Sequence, residues 1–157
     1  MGSTTLQQEG IDATAPYRTY LSSPMYGSRI NLGFWGAEGG GSSTYLHLKL
    51  NLPDNGNVMV KFEFNGYWYD SYNIHNSLTF YTYHGTNSPY TPSLVDWGEQ
   101  GGIVNYYYSS DNKVVIVLRT SANYTGGFLY CQTGRSHAHH SIEVAAYSSS
   151  TNNSGVY

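Results

Sequence analysis

Charge is what this chain has least of. Asp, Glu, Lys and Arg make up 11% of its 157 residues, against about 25% in an ordinary globular protein. Solubility then rests on Ser, Thr, Asn, Gln and Tyr, and the surface is expected to be polar but nearly uncharged. The seven basic residues are scattered and the net charge is -3. Nothing here supplies the clustered Lys and Arg that release counterions from a phosphate backbone, so nucleic acid is not an expected partner. Long apolar runs are missing as well. None approaches the roughly 20 residues of a membrane-spanning helix, and membrane insertion is not expected.

Other absences narrow the field further. A single cysteine, Cys131, rules out an intrachain disulfide. Within Phe128-Leu129-Tyr130-Cys131-Gln132 it reads as a small buried hydrophobe on a strand. The first ten residues carry neither the basic nor the apolar region of a secretory signal, so the expectation is a protein that does not use that export route, or a piece of a longer one. Gly39-Gly40-Gly41 neither follows a strand nor opens a helix and is no phosphate loop. Helical periodicity between caps is found nowhere.

What the chain does have is strand periodicity and tyrosine, seventeen of them. Leu46, Leu48, Leu50 and Leu52 alternate with Tyr45, His47, Lys49 and Asn51, a pattern that puts the leucines on one face. After the turn residues Pro53-Asp54-Asn55-Gly56, Val58, Val60, Phe62 and Phe64 resume the alternation, which predicts a hairpin. Residues 74–84 alternate with bulky groups on both faces, so that one face is available to another subunit. Residues 103–119 predict a second hairpin around Ser109-Ser110-Asp111-Asn112, with the run Val114-Val115-Ile116-Val117-Leu118 buried on both faces. Weaker candidates lie at 17–21 and 28–34, and further strands at 128–133 and 141–147. Residues 85–102, with Pro89, Pro92, Gly98, Gly101 and Gly102, read as a loop carrying Tyr90 and Trp97. About eight to ten strands without a repeat predict an all-β fold, an antiparallel β-sandwich or jelly roll. Residues 1–24 are expected to be an arm or attachment segment, 25–147 the β-sandwich domain, and 148–157 a polar C-terminal tail.

Residues 44–118 resemble the β-sandwich modules at the distal ends of bacteriophage tail fibres. Tyr45-Leu46-His47-Leu48-Lys49, Met59-Val60-Lys61-Phe62, Gly66-Tyr67-Trp68-Tyr69, Tyr81-Thr82-Tyr83 and Tyr108-Ser109-Ser110-Asp111-Asn112-Lys113-Val114-Val115-Ile116, in that order, carry the resemblance. It implies a homotrimeric virion protein, made in the host cytoplasm and attached to other virion proteins through its N-terminal arm. It also implies a bacterial surface receptor as ligand and carries over no catalytic residues.

The residues themselves point the same way. Seventeen tyrosines exceed what a core of this size needs, since each buried ring must also satisfy its hydroxyl. The densest cluster is Tyr67-Trp68-Tyr69-Asp70-Ser71-Tyr72. Rigid aromatic side chains give contact area at low entropy cost, and their faces suit the C–H faces of sugars. Trp68, Tyr69, Asp70, Tyr72, Tyr90 and Trp97 are the candidate receptor-binding residues, for a host-surface glycan or protein. The bland alternative is that Tyr67 and Tyr69 pack on their own sheet or on a subunit. A purely structural virion or filament subunit and a carbohydrate-binding module are the other readings.

Two further chemistries compete with a reading as solvated surface residues. His137 and His139 share one side of a strand, and a trimer axis beside them would gather six imidazoles around a transition-metal ion. Three hydrated histidines in an exposed turn are the alternative, and no cofactor is required. Asp96 and Glu99 flank Trp97 and are the only close carboxylate pair in a plausible cleft. A glycan-cleaving enzyme would use such a pair, but solvated charges are the commoner case, and the chain is expected not to be an enzyme.

Overall fold

A side-chain period of two needs a second sheet to bury it against. The computed structural model describes residues 18–21, 29–37, 44–53, 58–68, 72–82, 90–97, 102–120, 125–133 and 141–152. Ten strands run through them: β1 (Arg18–Leu21), β2 (Arg29–Ala37), β3 (Thr44–Pro53), β4 (Val58–Trp68), β5 (Tyr72–Thr82), β6 (Tyr90–Trp97), β7 (Gly102–Tyr108), β8 (Lys113–Thr120), β9 (Thr125–Thr133) and β10 (Ser141–Ser149). They form two five-stranded sheets, β1-β10-β3-β8-β7 and β2-β9-β4-β5-β6. The fold is an all-β antiparallel sandwich, as the alternation predicts.

The pairing is nested. β1 lies against β10, β2 against β9, β3 against β8 and β4 against β5, all antiparallel. This is the winding of a jelly roll, one long hairpin folded over into two sheets. β6 and β7 are inserted in the chain between β5 and β8, and each extends one edge of its sheet.

The core is built from the predicted positions. Leu46, Leu48, Leu50 and Leu52 of β3 face Val58, Val60, Phe62 and Phe64 of β4 in one cluster with the inner residues of the other strands. Each such side chain contributes about 1.5–3 kcal/mol by leaving water. Val114 to Leu118 of β8 are all buried. Val114, Ile116 and Leu118 belong to the main core, while Val115 and Val117 join Tyr107 in a second cluster on the outer side. Among the buried polar residues, Asn76 is fully buried on β5. Its Oδ1 accepts a hydrogen bond of 2.8 Å from the Ile103 amide of β7, which ties the edge of one sheet to the other. Gly102, at φ 86°, leaves the room this contact needs, since a Cβ there would collide with the Asn76 amide.

The outer cluster is closed by the end of the described chain. His47 is fully buried, with Nδ1 at 3.0 Å from the Tyr107 hydroxyl and Nε2 at 2.7 Å from the Thr151 carbonyl. A carbonyl only accepts, so Nε2 donates, and in the neutral ring Nδ1 accepts from Tyr107. The Asn105 amide also donates to the Asn152 carbonyl. Residues 150–152 thus strap across β3 and β7.

One expectation is corrected. Residues 90–97 form edge strand β6 rather than loop. Proline is tolerated on an edge or at a bulge, and the β5–β6 register shifts between Thr79 and Tyr81, opposite Pro92. Within the expected N-terminal arm, β1 pairs with β10 from Arg18↔Val144 to Leu21↔Ser141. At the other end, β10 continues to Ser149, and the Thr151 carbonyl accepts from His47. The tyrosines of β7 are used in packing: Tyr106 stacks on Phe80 at 6.4 Å, Tyr108 lies against the main core, and Tyr107 is in the outer cluster.

Two measurements check this account. Asn76→Leu leaves the Ile103 amide facing an apolar group and is expected to lose about 1–3 kcal/mol in chemical denaturation. Burial lowers the His47 pKa below its ordinary value of 6.5, against the opposing hydrogen bond to Thr151. The unfolded chain therefore takes up the proton first as pH falls, and stability falls with it. The His47 contribution is full above 6.5 and is lost as pH drops through the lower folded value. Denaturation between about pH 5 and 8 should show this slope in the wild type and a flatter one in His47→Gln.

Candidate functional site

The second sheet has an aromatic outer face, and a bulge helps to make it so. Ile30 and Leu32 of β2 point inward. Simple alternation would send Phe34 after them. Instead the register with β9 slips between Asn31 and Phe34, around Gly33 at φ 93°. The Asn31 Oδ1 accepts from the Gly33 amide at 2.9 Å and pins the bulge. The extra residue turns Phe34 outward and sends Trp35 into the core, where its Nε1 donates to the Leu32 carbonyl at 2.7 Å.

Phe34 then pairs with Phe128, which pairs with Asn65, which pairs with His75, which pairs with Trp97. The row crosses all five strands of the sheet. Phe34 and Phe128 meet edge to face at 5.4 Å, and Phe128 continues to Tyr130 at 6.5 Å. Phe128 remains 44% exposed and Tyr67, beside it on β4, 52% exposed. Glycine keeps the floor low here. Gly126 pairs with Gly36 on one side and Tyr67 on the other, and its missing side chain is replaced by the Phe34 ring lying over it. Gly127 and Gly66 pair so closely that a Cβ on either would strike backbone.

Charge enters at the other end of the strip. The Arg29 guanidinium lies 3.7 Å from the Tyr130 ring centre, and its Nε is 3.0 Å from Glu63. Lys61 reaches the other Glu63 oxygen at 3.2 Å. Burial opposes ionisation of Glu63, but the Lys61 hydrogen bond and the charges of Lys61, Arg29 and His75 outweigh it and hold the carboxyl below its usual range. Exposed Asn73, His75 and Thr79 border the strip with amide, imidazole and hydroxyl groups.

This arrangement offers ring faces, hydrogen-bonding groups and a fixed guanidinium. Among the described residues, none on this face is set up as a nucleophile with a base. Glu63 is engaged by two cations, and Cys131 is buried in the core with its thiol pKa pushed up by burial, away from the reactive range.

The sequence candidates fall unevenly on this frame. Trp68 and Tyr72, described by backbone alone, pair at the end of the β4–β5 hairpin next to Tyr67. Trp97, likewise described by backbone, takes the β6 position of the aromatic row. Tyr90 pairs with Tyr81 and lies at the opposite end of β6, so it does not join the others. Tyr69, Asp70, His137 and His139 lie outside the described residues. Among the described residues, no three His, Cys, Asp or Glu side chains are grouped to hold a metal ion. Phe34, Phe128, Tyr130 and Arg29 were missed. The available signal was Phe128, an aromatic out of phase with its inward neighbours Leu129 and Cys131.

Gly33→Ala tests the bulge. A side chain at that positive φ costs about 1–3 kcal/mol, so the melting temperature should fall. The near-ultraviolet dichroism of the aromatic strip should change as Phe34 loses its place. No family model matches this chain, and neither a curated protein nor a solved structure is detectably similar to it.

Proposed function

We propose that the chain is a non-catalytic glycan-binding jelly roll, with the outer face of the second sheet as its binding surface. The observation that carries this reading is the solvent-exposed ring of Phe128, set in a row with Phe34 and flanked by Tyr67. A phenylalanine on a strand's outer face has no hydroxyl to satisfy and gains nothing from water, so a large exposed apolar group of this kind marks a contact surface. Exposed Asn73 and Thr79 border the face with amide and hydroxyl groups, and charge is confined to the Arg29, Glu63 and Lys61 end, which fits hydroxyl-rich ligands with C–H faces. Trp97 takes the β6 position of the same row by its backbone pairing with His75.

The likeness to phage tail-fibre tips gives this face a setting: a virion appendage, trimeric and anchored by its N-terminal end, whose ligand is a glycan of the bacterial surface. A flat face with a few rings binds weakly, and linked copies make later contacts intramolecular.

Phe128→Ala and Tyr67→Ala should each weaken binding to purified bacterial surface polysaccharide by about tenfold, as central aromatic contacts do. Their melting temperatures should stay near the wild type, since both rings are exposed. Unchanged polysaccharide binding, together with a shift in oligomeric state by light scattering, would instead make this face a subunit contact and overturn the reading.

A further inference from the structure

The charges on the binding face are not balanced. The described part of the second sheet's outer face carries Arg29 and Lys61 against Glu63, while the chain as a whole is at -3. One positive charge is left over on a face of an otherwise acidic protein. The surplus is also held in place. Arg29 is fixed from two directions, by the Tyr130 ring at 3.7 Å and by Glu63 at 3.0 Å. Its side chain is nonetheless 46% exposed, and that of Lys61 42%. Only the Nε of Arg29 is used by Glu63, and a guanidinium has further N–H groups arranged to meet a carboxylate in two parallel hydrogen bonds.

We infer that this face selects acidic glycans, with a sugar ring on Phe128 and the carboxylate of an adjacent uronic or sialic acid residue on Arg29 and Lys61. The inference rests on the glycan-binding reading and names its ligand class. Phe128, Tyr130 and Arg29 follow one another along the strip, so a saccharide lying along the face reaches the cations after the ring. Tyr130 is a positioning residue, its ring occupied by the guanidinium. Glu63 has two effects: it orients both cations and competes with the ligand for them.

That competition gives the test its sign. Binding is measured by titration calorimetry with uronate- and sialate-containing polysaccharides, each beside the same polymer with its carboxyl groups reduced to alcohols. The acidic form should bind about tenfold more tightly, the worth of one hydrogen bond to a charged group, and the margin should shrink as salt is raised. Arg29→Gln should erase the margin between the acidic and the reduced polymer. Glu63→Gln should widen it several-fold, because both cations are released to the ligand. Equal binding of acidic and reduced polymers, or a loss of affinity in Glu63→Gln with the protein still folded by circular dichroism, overturns the inference and leaves the glycan-binding reading intact. Failure of every polymer to bind, in either form, overturns both.

Discussion

The inner faces of both sheets have to leave water together, and the rest of the molecule follows from that requirement. A strand that commits its even positions to the core has committed its odd positions to the outside. On β4 the core takes Val58, Val60, Phe62 and Phe64, and this leaves Lys61, Glu63, Asn65 and Tyr67 in a line on the outer face. A slip of one residue would bury Lys61 and Glu63, at a cost of several kcal/mol per ion. The outer face is therefore specified as strongly as the core. The bulge at Gly33 is a local exception, and it adds Phe34 to that face by breaking the alternation of β2.

The two outer faces are treated differently. On the first sheet, Val115, Val117 and Tyr107 are apolar and outward, yet buried. Tyr45 packs on them, and residues 150–152 are held over the sheet by His47 and Asn105. On the second sheet Met59, Tyr67 and Phe128 remain exposed. An open apolar face on a weakly charged protein invites association, and edge strand β6 adds exposed Leu94 and Val95. Pro92 and the local register shift make β6 a poor template for another strand. The molecule thus blunts its edge while leaving the aromatic face free, which is the pattern expected where a surface is kept for a ligand.

The core hairpin of β3 and β4 and the doubly buried β8 were legible in the sequence because their periodicity is local and uninterrupted. β6 was not, because Pro92 and the surrounding glycines look the same in a loop and on an edge. The packing of Tyr106 was not legible because its partner, Phe80, comes from the other sheet. The aromatic strip was least legible for a related reason. Phe34 and Phe128 are far apart in the chain and are brought together by nested pairing, which no local pattern encodes. Trp68 and Tyr72 read as neighbours in the sequence, and the β4–β5 hairpin pairs them.

Jelly rolls host unrelated functions, so the fold alone says little about what this one binds; the face has to carry the argument. Scarcity of charge makes a single fixed guanidinium more informative here than on an ordinary surface, where ion pairs are common and contribute little. Arg29 is ordered before any ligand arrives, so binding need not supply that ordering. The same scarcity bears on assembly. Copies with a net charge of -3 spread over 157 residues repel one another weakly, and can be crowded on an appendage with their faces outward. A face of modest affinity gains most from such crowding, because each further contact is then made within one assembly. Low charge, an open aromatic sheet and one surplus cation thus agree with the proposed role, in which weak, selective contacts are repeated many times.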